Sequence, residues 1–242
     1  MDCNYIREKV ADTIIDCQVS CFPIDCFHLL QLYGYKIYSY SELKIQNQEL
    51  YLICNSFSDD AFRIGSRQLI AYNDKKPKNR IRFSLMHELG HHILEHKNDS
   101  AENEEEANYF ANNILAPRIA MYYAKLKTVN DVSELFALSS SAAYYAAQDF
   151  SEWCHDVCKN GMHDYDKALY QHFYNEVYDG FVYSIKKCEF CGANVYNEKL
   201  PYCTDGCEIF EEVPVRRSSF SNLSDDDMMI MRRLENNWLY NF

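Results

Sequence analysis

The chain has 242 residues, 36 of them acidic and 24 basic, for a formal charge of −12. This length supports one substantial core with a minor appendage, and the charge argues against general nucleic-acid binding through phosphate contacts while suiting a basic partner. No stretch has the apolar length of a membrane span, and the opening MDCNYIREKVADTIIDC mixes charges throughout with no apolar signal core, so a cytoplasmic protein without membrane contact is expected. Eleven cysteines, an odd count with no export signal, read as free thiols and metal ligands rather than disulfides.

Along the chain, Ile6, Val10, Ile14 and Ile15 recur at helical spacing, and Cys17 and Cys21 continue that face as packed thiols. Pro23, Ile24 and Asp25 open a second helix through Leu29, Leu30 and Leu32, which Gly34 ends. The segment YKIYSYS then alternates like a strand, and two further strands are expected at residues 49–54, which contain LYLIC, and at 68–72, which contain LIAY. A polar segment over residues 55–66 separates these two, and the three strands would make a small sheet. Residues 73–80, NDKKPKNR, read as a solvated basic turn that could also hold an acidic substrate segment.

Residues 82–96, RFSLMHELGHHILEH, place His87, Glu88 and His91 in the H-E-x-x-H arrangement. Four residues apart on a helix, both imidazoles can face one Zn²⁺ while Glu88 flanks it and takes a proton from bound water. The surrounding Phe83, Leu85, Met86, Leu89, Ile93 and Leu94 make this a core helix, and Gly90 permits close packing. A second helix over residues 104–117, EEEANYFANNILAP, begins in acid and stops at Pro117. Its small and apolar stripe of Ala107, Ala111 and Leu115 extends one turn back to Glu104, whereas Glu105 and Glu106 lie about 100° and 200° away and point to solvent or the helix flank. Glu104 is therefore the expected third metal ligand, with Asn108 on the same side as its support. Two histidines and one glutamate leave a position open, as catalytic zinc requires.

Together, RFSLMHELGHHILEH and the following E-x-x-A-N-x-F-A-x-x-I-L-x-P resemble the ImmA/IrrE family of metallo-endopeptidases, over roughly residues 22–150 when weaker pieces are included. The resemblance implies a zincin-like core, a catalytic zinc on His87, His91 and Glu104, and Glu88 as general base. It also implies a narrow protein substrate, a helix-turn-helix repressor of phage, mobile-element or stress genes. A peptide would be held by adding as a strand to an exposed sheet edge, here expected at residues 69–72. The oxyanion-stabilising residue stays open among His92, His155 and several tyrosines.

Residues 129–150 resemble the helix-turn-helix-like piece that follows the family's core. Residues 140–150 offer Gln148 and no basic side chain for base contacts, so this is a helical packing unit and no direct nucleic-acid partner is expected. Cys154, His155 and Cys158 are too close on one helix to complete a tetrahedron and read as buried thiols. An aromatic helix is expected over residues 164–179, carrying Leu169, Phe173 and Val177 and stopped by Gly180, followed by the strand FVYSI. Cys188 and Cys191, then Cys203 and Cys207, present four thiolates with Gly192 and Gly206 at the turns, a structural zinc site similar to a zinc ribbon. Ser224 caps a last helix with an apolar stripe of Met228, Ile230, Met231, Leu234, Trp238 and Leu239.

The expected architecture is α+β: a metallopeptidase domain over residues 1–180, a zinc-ribbon module over 181–215, and an acidic linker with an amphipathic helix over 216–242. The expected function is zinc-dependent endopeptidase activity on an intracellular protein. The alternatives are a regulatory binding protein or a toxin-antitoxin component that retains the protease fold.

Overall fold

Capping side chains and apolar spacing set the first elements of the computed structural model, which describes residues 1–98, 100–203 and 207. Helix α1 (Cys3–Asp16) starts where the Asp2 carboxylate accepts from the backbone N–H groups of Asn4 and Tyr5, and it buries Ile6, Val10 and Ile14. Helix α2 (Cys26–Leu32) is capped in the same way by Asp25. Strand β1 (Lys36–Ser39) follows, and Ser39 closes a capping box with Glu42 to begin α3 (Tyr40–Gln46).

The expected strand over residues 49–54 is instead helix α4 (Gln48–Phe57). The apolar run LYLIC is compatible with either state. The decision falls to Asn47, whose side chain accepts from Leu50 N–H, and to Leu50 and Cys54, which sit four apart and are buried together against Tyr40, Leu43, Leu69 and Ala71. The third member of the sheet comes from the segment expected to be a polar connection: β2 (Ala61–Ile64). Strand β3 (Leu69–Tyr72) lies between the other two, parallel to β1 with Ile37 opposite Ile70, and antiparallel to β2 with Arg63 opposite Ile70. Residues 69–72 are thus the centre of the sheet and cannot accept a peptide. Among the described residues the unpaired side of β2 is the available edge on this flank.

Helix α5 (Lys78–Ile93) carries the H-E-x-x-H residues, and α6 (Ala101–Leu115) packs along it. Gly90 makes this approach possible: a Cβ there would lie 3.2 Å from both the Cα and the carbonyl oxygen of Ala107 and 3.1 Å from Phe110 Cδ1. Helix α6 starts three residues earlier than expected because Ser100 caps it, accepting from Asn103 N–H, so Glu102 and Glu104 both lie in its first turn beside the positive end of the helix dipole. Two basic side chains around the turn before α5 are paired: Arg80 holds Asp60 through two bonds of 2.6 and 2.7 Å, and Lys76 pairs with Asp59.

The chain continues through α7 (Arg118–Tyr123), α8 (Val129–Phe136) and α9 (Ser140–Asn160). The 21-residue α9 is twice the length expected for the second helix of the packing unit and buries Ala143, Ala146 and Trp153. Its Asp149 anchors a largely buried charge network. Asp149 accepts from Arg7 Nη2 at 2.8 Å, Tyr109 Oη at 2.9 Å and Arg118 Nε at 2.6 Å, while Arg118 Nη2 donates to Asn112 Oδ1 at 2.6 Å. Four helices, α1, α6, α7 and α9, meet at this one carboxylate.

Helix α10 (Asp164–Phe173) ends six residues short of the expected length, and Val177 is exposed in the turn between the short strands β4 (Tyr174–Asn175) and β5 (Gly180–Phe181). The expected strand FVYSI is divided between β5 and β6 (Ile185–Lys187), and β6 pairs with β7 (Asn194–Tyr196). By contact the described residues form two compact units, one of Met1–Lys186 with Asn194–Leu200 and one of Lys187–Ala193 with the described residues from Pro201 onward. Gly206, the acidic linker and the C-terminal amphipathic helix lie outside the described residues. No described helix is long and apolar enough to cross a membrane.

Candidate metal centre and active-site cleft

The α5 helix turns His87 and His91 to one side, and α6 brings Glu104 to meet them. His87 Nε2 and His91 Nε2 are 3.0 Å apart, and the Glu104 carboxylate lies 3.4 Å from the first and 3.2 Å from the second. Three donors on a tetrahedron of radius about 2.0 Å stand roughly 3.3 Å from one another, so this triangle has the size that a zinc ion needs. Asn108 Oδ1 is 3.0 Å from His87 Nδ1. A carbonyl oxygen only accepts, so His87 carries its proton on Nδ1 and turns the Nε2 lone pair toward the shared point. Burial, with the neighbouring His87, His96 and Arg63, pushes His91 down to about 4, which keeps its imidazole neutral and fit to ligate. Burial also lowers His87 despite the opposing pull of Glu104. The donor set, its spacing and its charge state all suit a divalent metal.

His87, Glu88, His91 and Glu104 line a cleft of about 1370 Å³. On one side its wall is β2, with Ala61, Phe62 and Arg63; on the other it is α9, with Tyr145, Gln148 and Glu152. Gln148, the one base-reading side chain noted between residues 140 and 150, therefore faces the cleft. The buried Nε of Arg63, on the β2 wall, has no hydrogen-bond partner. The oxyanion candidates separate clearly. His92 is exposed and packs edge-on against Tyr33 and Tyr35, while His155 bonds the Ser151 carbonyl; neither lines this cleft. Of the tyrosines, Tyr109 and Tyr145 line it, and the Tyr109 hydroxyl is committed to Asp149.

The family model of the IrrE N-terminal-like domain, peptidase M78, matches residues 43–148. These residues belong to the ImmA/IrrE metallopeptidase family. The match includes α5, α6 and the first wall of α9 but ends before Asp149, and it does not reach α1, α2 or the cysteine-bearing segment. No curated protein matches the chain.

Within this ImmA/IrrE domain, two residues that sequence spacing did not single out stand against His91. His96 Nδ1 is 3.0 Å from His91 Nδ1, and His96 Nε2 is 3.2 Å from the Glu106 carboxylate. Glu106 lies on the helix flank as expected, but it is engaged there, whereas Glu105 is exposed. The contact depends on the chain reversal after α5. Glu95 adopts a left-handed φ of +55° and His96 N–H donates to the His91 carbonyl, a helix-ending turn whose usual signal, glycine, is missing.

In the second unit Cys188 Sγ is 3.6 Å from Cys207 Sγ, and Cys191 Sγ is 3.5 Å from Cys203 Sγ. All four sulfurs lie within 4.8 Å of one another. At a zinc–sulfur distance of about 2.3 Å the ligand separation is about 3.8 Å, close to these values. Gly192 sits at φ +74° and closes the first knuckle by donating its N–H to the Cys188 carbonyl at 2.9 Å. Backbone N–H groups of Cys191, and then of Phe190 and Cys203, lower the Cys188 thiol to about 6, while hydrogen bonds to Cys191 and Cys188 push Cys203 up and burial pushes Cys207 up, the pattern of one thiolate shared by neighbouring thiols. All eleven cysteines are free thiols. Cys154 is half-buried and Cys158 exposed, contrary to their expected burial, and with His155 turned to Ser151 they form no common site.

Proposed function

We propose that the chain is a zinc-dependent endopeptidase, with His87, His91 and Glu104 as the metal ligands and Glu88 as the general base. The observation that carries this reading is the 3.0–3.4 Å triangle of two bare imidazole nitrogens and a carboxylate on the wall of a cleft beside a free strand edge. Zinc bound there supplies Lewis acidity toward water and a scissile carbonyl. Glu88, one residue along α5 from His87 and lining the same cleft, takes the proton of the attacking water and returns it to the leaving amine. The open edge of β2 holds the substrate as an added strand, main chain to main chain, so the sheet aligns the scissile bond while the α9 side chains Tyr145, Gln148 and Glu152 read its side chains. The four cysteines hold a second, structural zinc that supplies folding energy to a small unit.

By resemblance, the substrate is a helix-turn-helix repressor. The test incubates the zinc-loaded chain with the repressor encoded nearest to it and follows fragments by mass spectrometry. The wild type should cut at one or a few sites, and Glu88→Gln should hold the same zinc while cutting at least a hundredfold more slowly. Equal cleavage by Glu88→Gln would remove this residue from the mechanism. Zinc binding without cleavage of any repressor offered would favour a regulatory binding role.

A further inference from the structure

We propose that His96 and Glu106 are positioning residues for the metal centre, acting through His91, an inference that rests on reading His87, His91 and Glu104 as metal ligands. The argument is one of hydrogen-bond accounting. A carboxylate only accepts, so the 3.2 Å contact with Glu106 selects the His96 tautomer that has its proton on Nε2 and a lone pair on Nδ1. His91 Nδ1, 3.0 Å from that lone pair, must then be the donor. With its proton on Nδ1, His91 presents a bare Nε2 to the point it shares with His87 and Glu104. The chain Glu106–His96–His91 thus fixes both the tautomer and the ring plane of a ligand, as Asn108 does alone for His87.

Burial gives this chain its hold. The His96 side chain is 6% exposed, so water does not compete for either ring nitrogen. The turn at Glu95 folds the chain back over the end of α5 and brings His96 beside His91. Helix α6 therefore serves the centre three times: Glu104 meets both imidazoles, Asn108 orients one, and Glu106, on another side of the same helix, orients the other through His96. In the absence of His96 the His91 ring could carry its proton on either nitrogen, and the fraction with Nε2–H would be unable to ligate.

The test titrates the full-length chain with Co²⁺, whose ligand-field absorption reports geometry and whose thiolate charge-transfer bands separate the four-cysteine site. His96→Leu and Glu106→Ala should each weaken Co²⁺ binding at the histidine centre by about 10–100-fold and shift its ligand-field bands. The double variant should lose little more than either single one, because the two residues act in series. His96→Gln should restore binding to within a few-fold of the wild type and return the bands, since its amide carbonyl can accept from His91 while its NH₂ group donates to Glu106. Wild-type affinity and spectrum in His96→Leu would overturn the proposal. So would equal losses in His96→Gln and His96→Leu, which would mark a packing role. His87→Ala separates the two readings: if it keeps full Co²⁺ binding at this centre, the metal-centre reading itself fails, and the positioning role with it.

Discussion

Substituting Gly90 by alanine should separate folding from metal binding. Alanine favours the helix by about 1 kcal/mol over glycine. The new Cβ, however, would stand 3.2 Å from the Cα and carbonyl oxygen of Ala107, where carbon contacts relax to about 3.5–4.0 Å. The obstacle is backbone of α6, so relief requires the two helices to part by a few tenths of an ångström. Overpacking of this kind costs about 1–3 kcal/mol, and the helix gain offsets part of it. The net loss should be about 0–2 kcal/mol, measurable by urea unfolding of the metal-free protein. Glu104 sits one turn before Ala107 on the helix that moves. Since metal sites tolerate only about 0.2 Å of error in ligand distance, zinc affinity should fall by roughly tenfold or more. Competition with a chromogenic chelator reads that loss directly. Wild-type zinc affinity in Gly90→Ala would show that the close approach of α5 and α6 does not set the position of Glu104.

Other expectations follow from the charge network and the cysteines. Asp149→Asn leaves Arg118 and Arg7 buried without a counter-charge and should cost about 3–5 kcal/mol at neutral pH by denaturant unfolding. Burial raises the Asp149 pKa, but Arg118 and then Arg7 outweigh it and hold the carboxyl below its usual value. A depressed folded pKa adds stability above about pH 4 and loses it as pH falls through the folded value, so the gap between wild type and Asp149→Asn should narrow below pH 4. Cys191→Ser should remove one of two zinc equivalents by elemental analysis while leaving the Co²⁺ ligand-field bands of the histidine centre in place. Glu95→Gly, which relieves a left-handed residue, should raise stability by about 0.5–1 kcal/mol in thermal unfolding and leave zinc content unchanged.

The parts of the site legible in the sequence are those that local periodicity decides. His87 and His91 are one turn apart, and the stripe that selects Glu104 over Glu105 and Glu106 is written within the twelve residues 104–115. The knuckles of the cysteine cluster are equally local. What escaped reading depends on distance along the chain or on a tie. LYLIC satisfies strand and helix alike, and the deciding Asn47 cap stands outside the run. Strand order cannot be read from strand composition: the edge expected at residues 69–72 is the central strand β3, flanked by β1 and β2. His96 reaches His91 only through a left-handed residue that is not glycine. The Asp149 network joins Arg7, Tyr109 and Arg118, and no spacing rule connects residues 142 positions apart.

That network also bears on what counts as the domain. The recognisable segment stops at residue 148, one position short of the carboxylate that ties its helices together, and begins after the helix that supplies Arg7. A fragment trimmed to residues 43–148 would retain the His87, Glu88, His91 and Glu104 signature intact. It would also carry a buried arginine, Arg118, stripped of its counter-ion, an α9 cut off before Trp153, and a surface of α6 that α1 normally covers. The segment that matches the family model and the set of helices that close this network are different lengths of chain. Any minimal active version should extend at least through α1 at one end and the whole of α9 at the other.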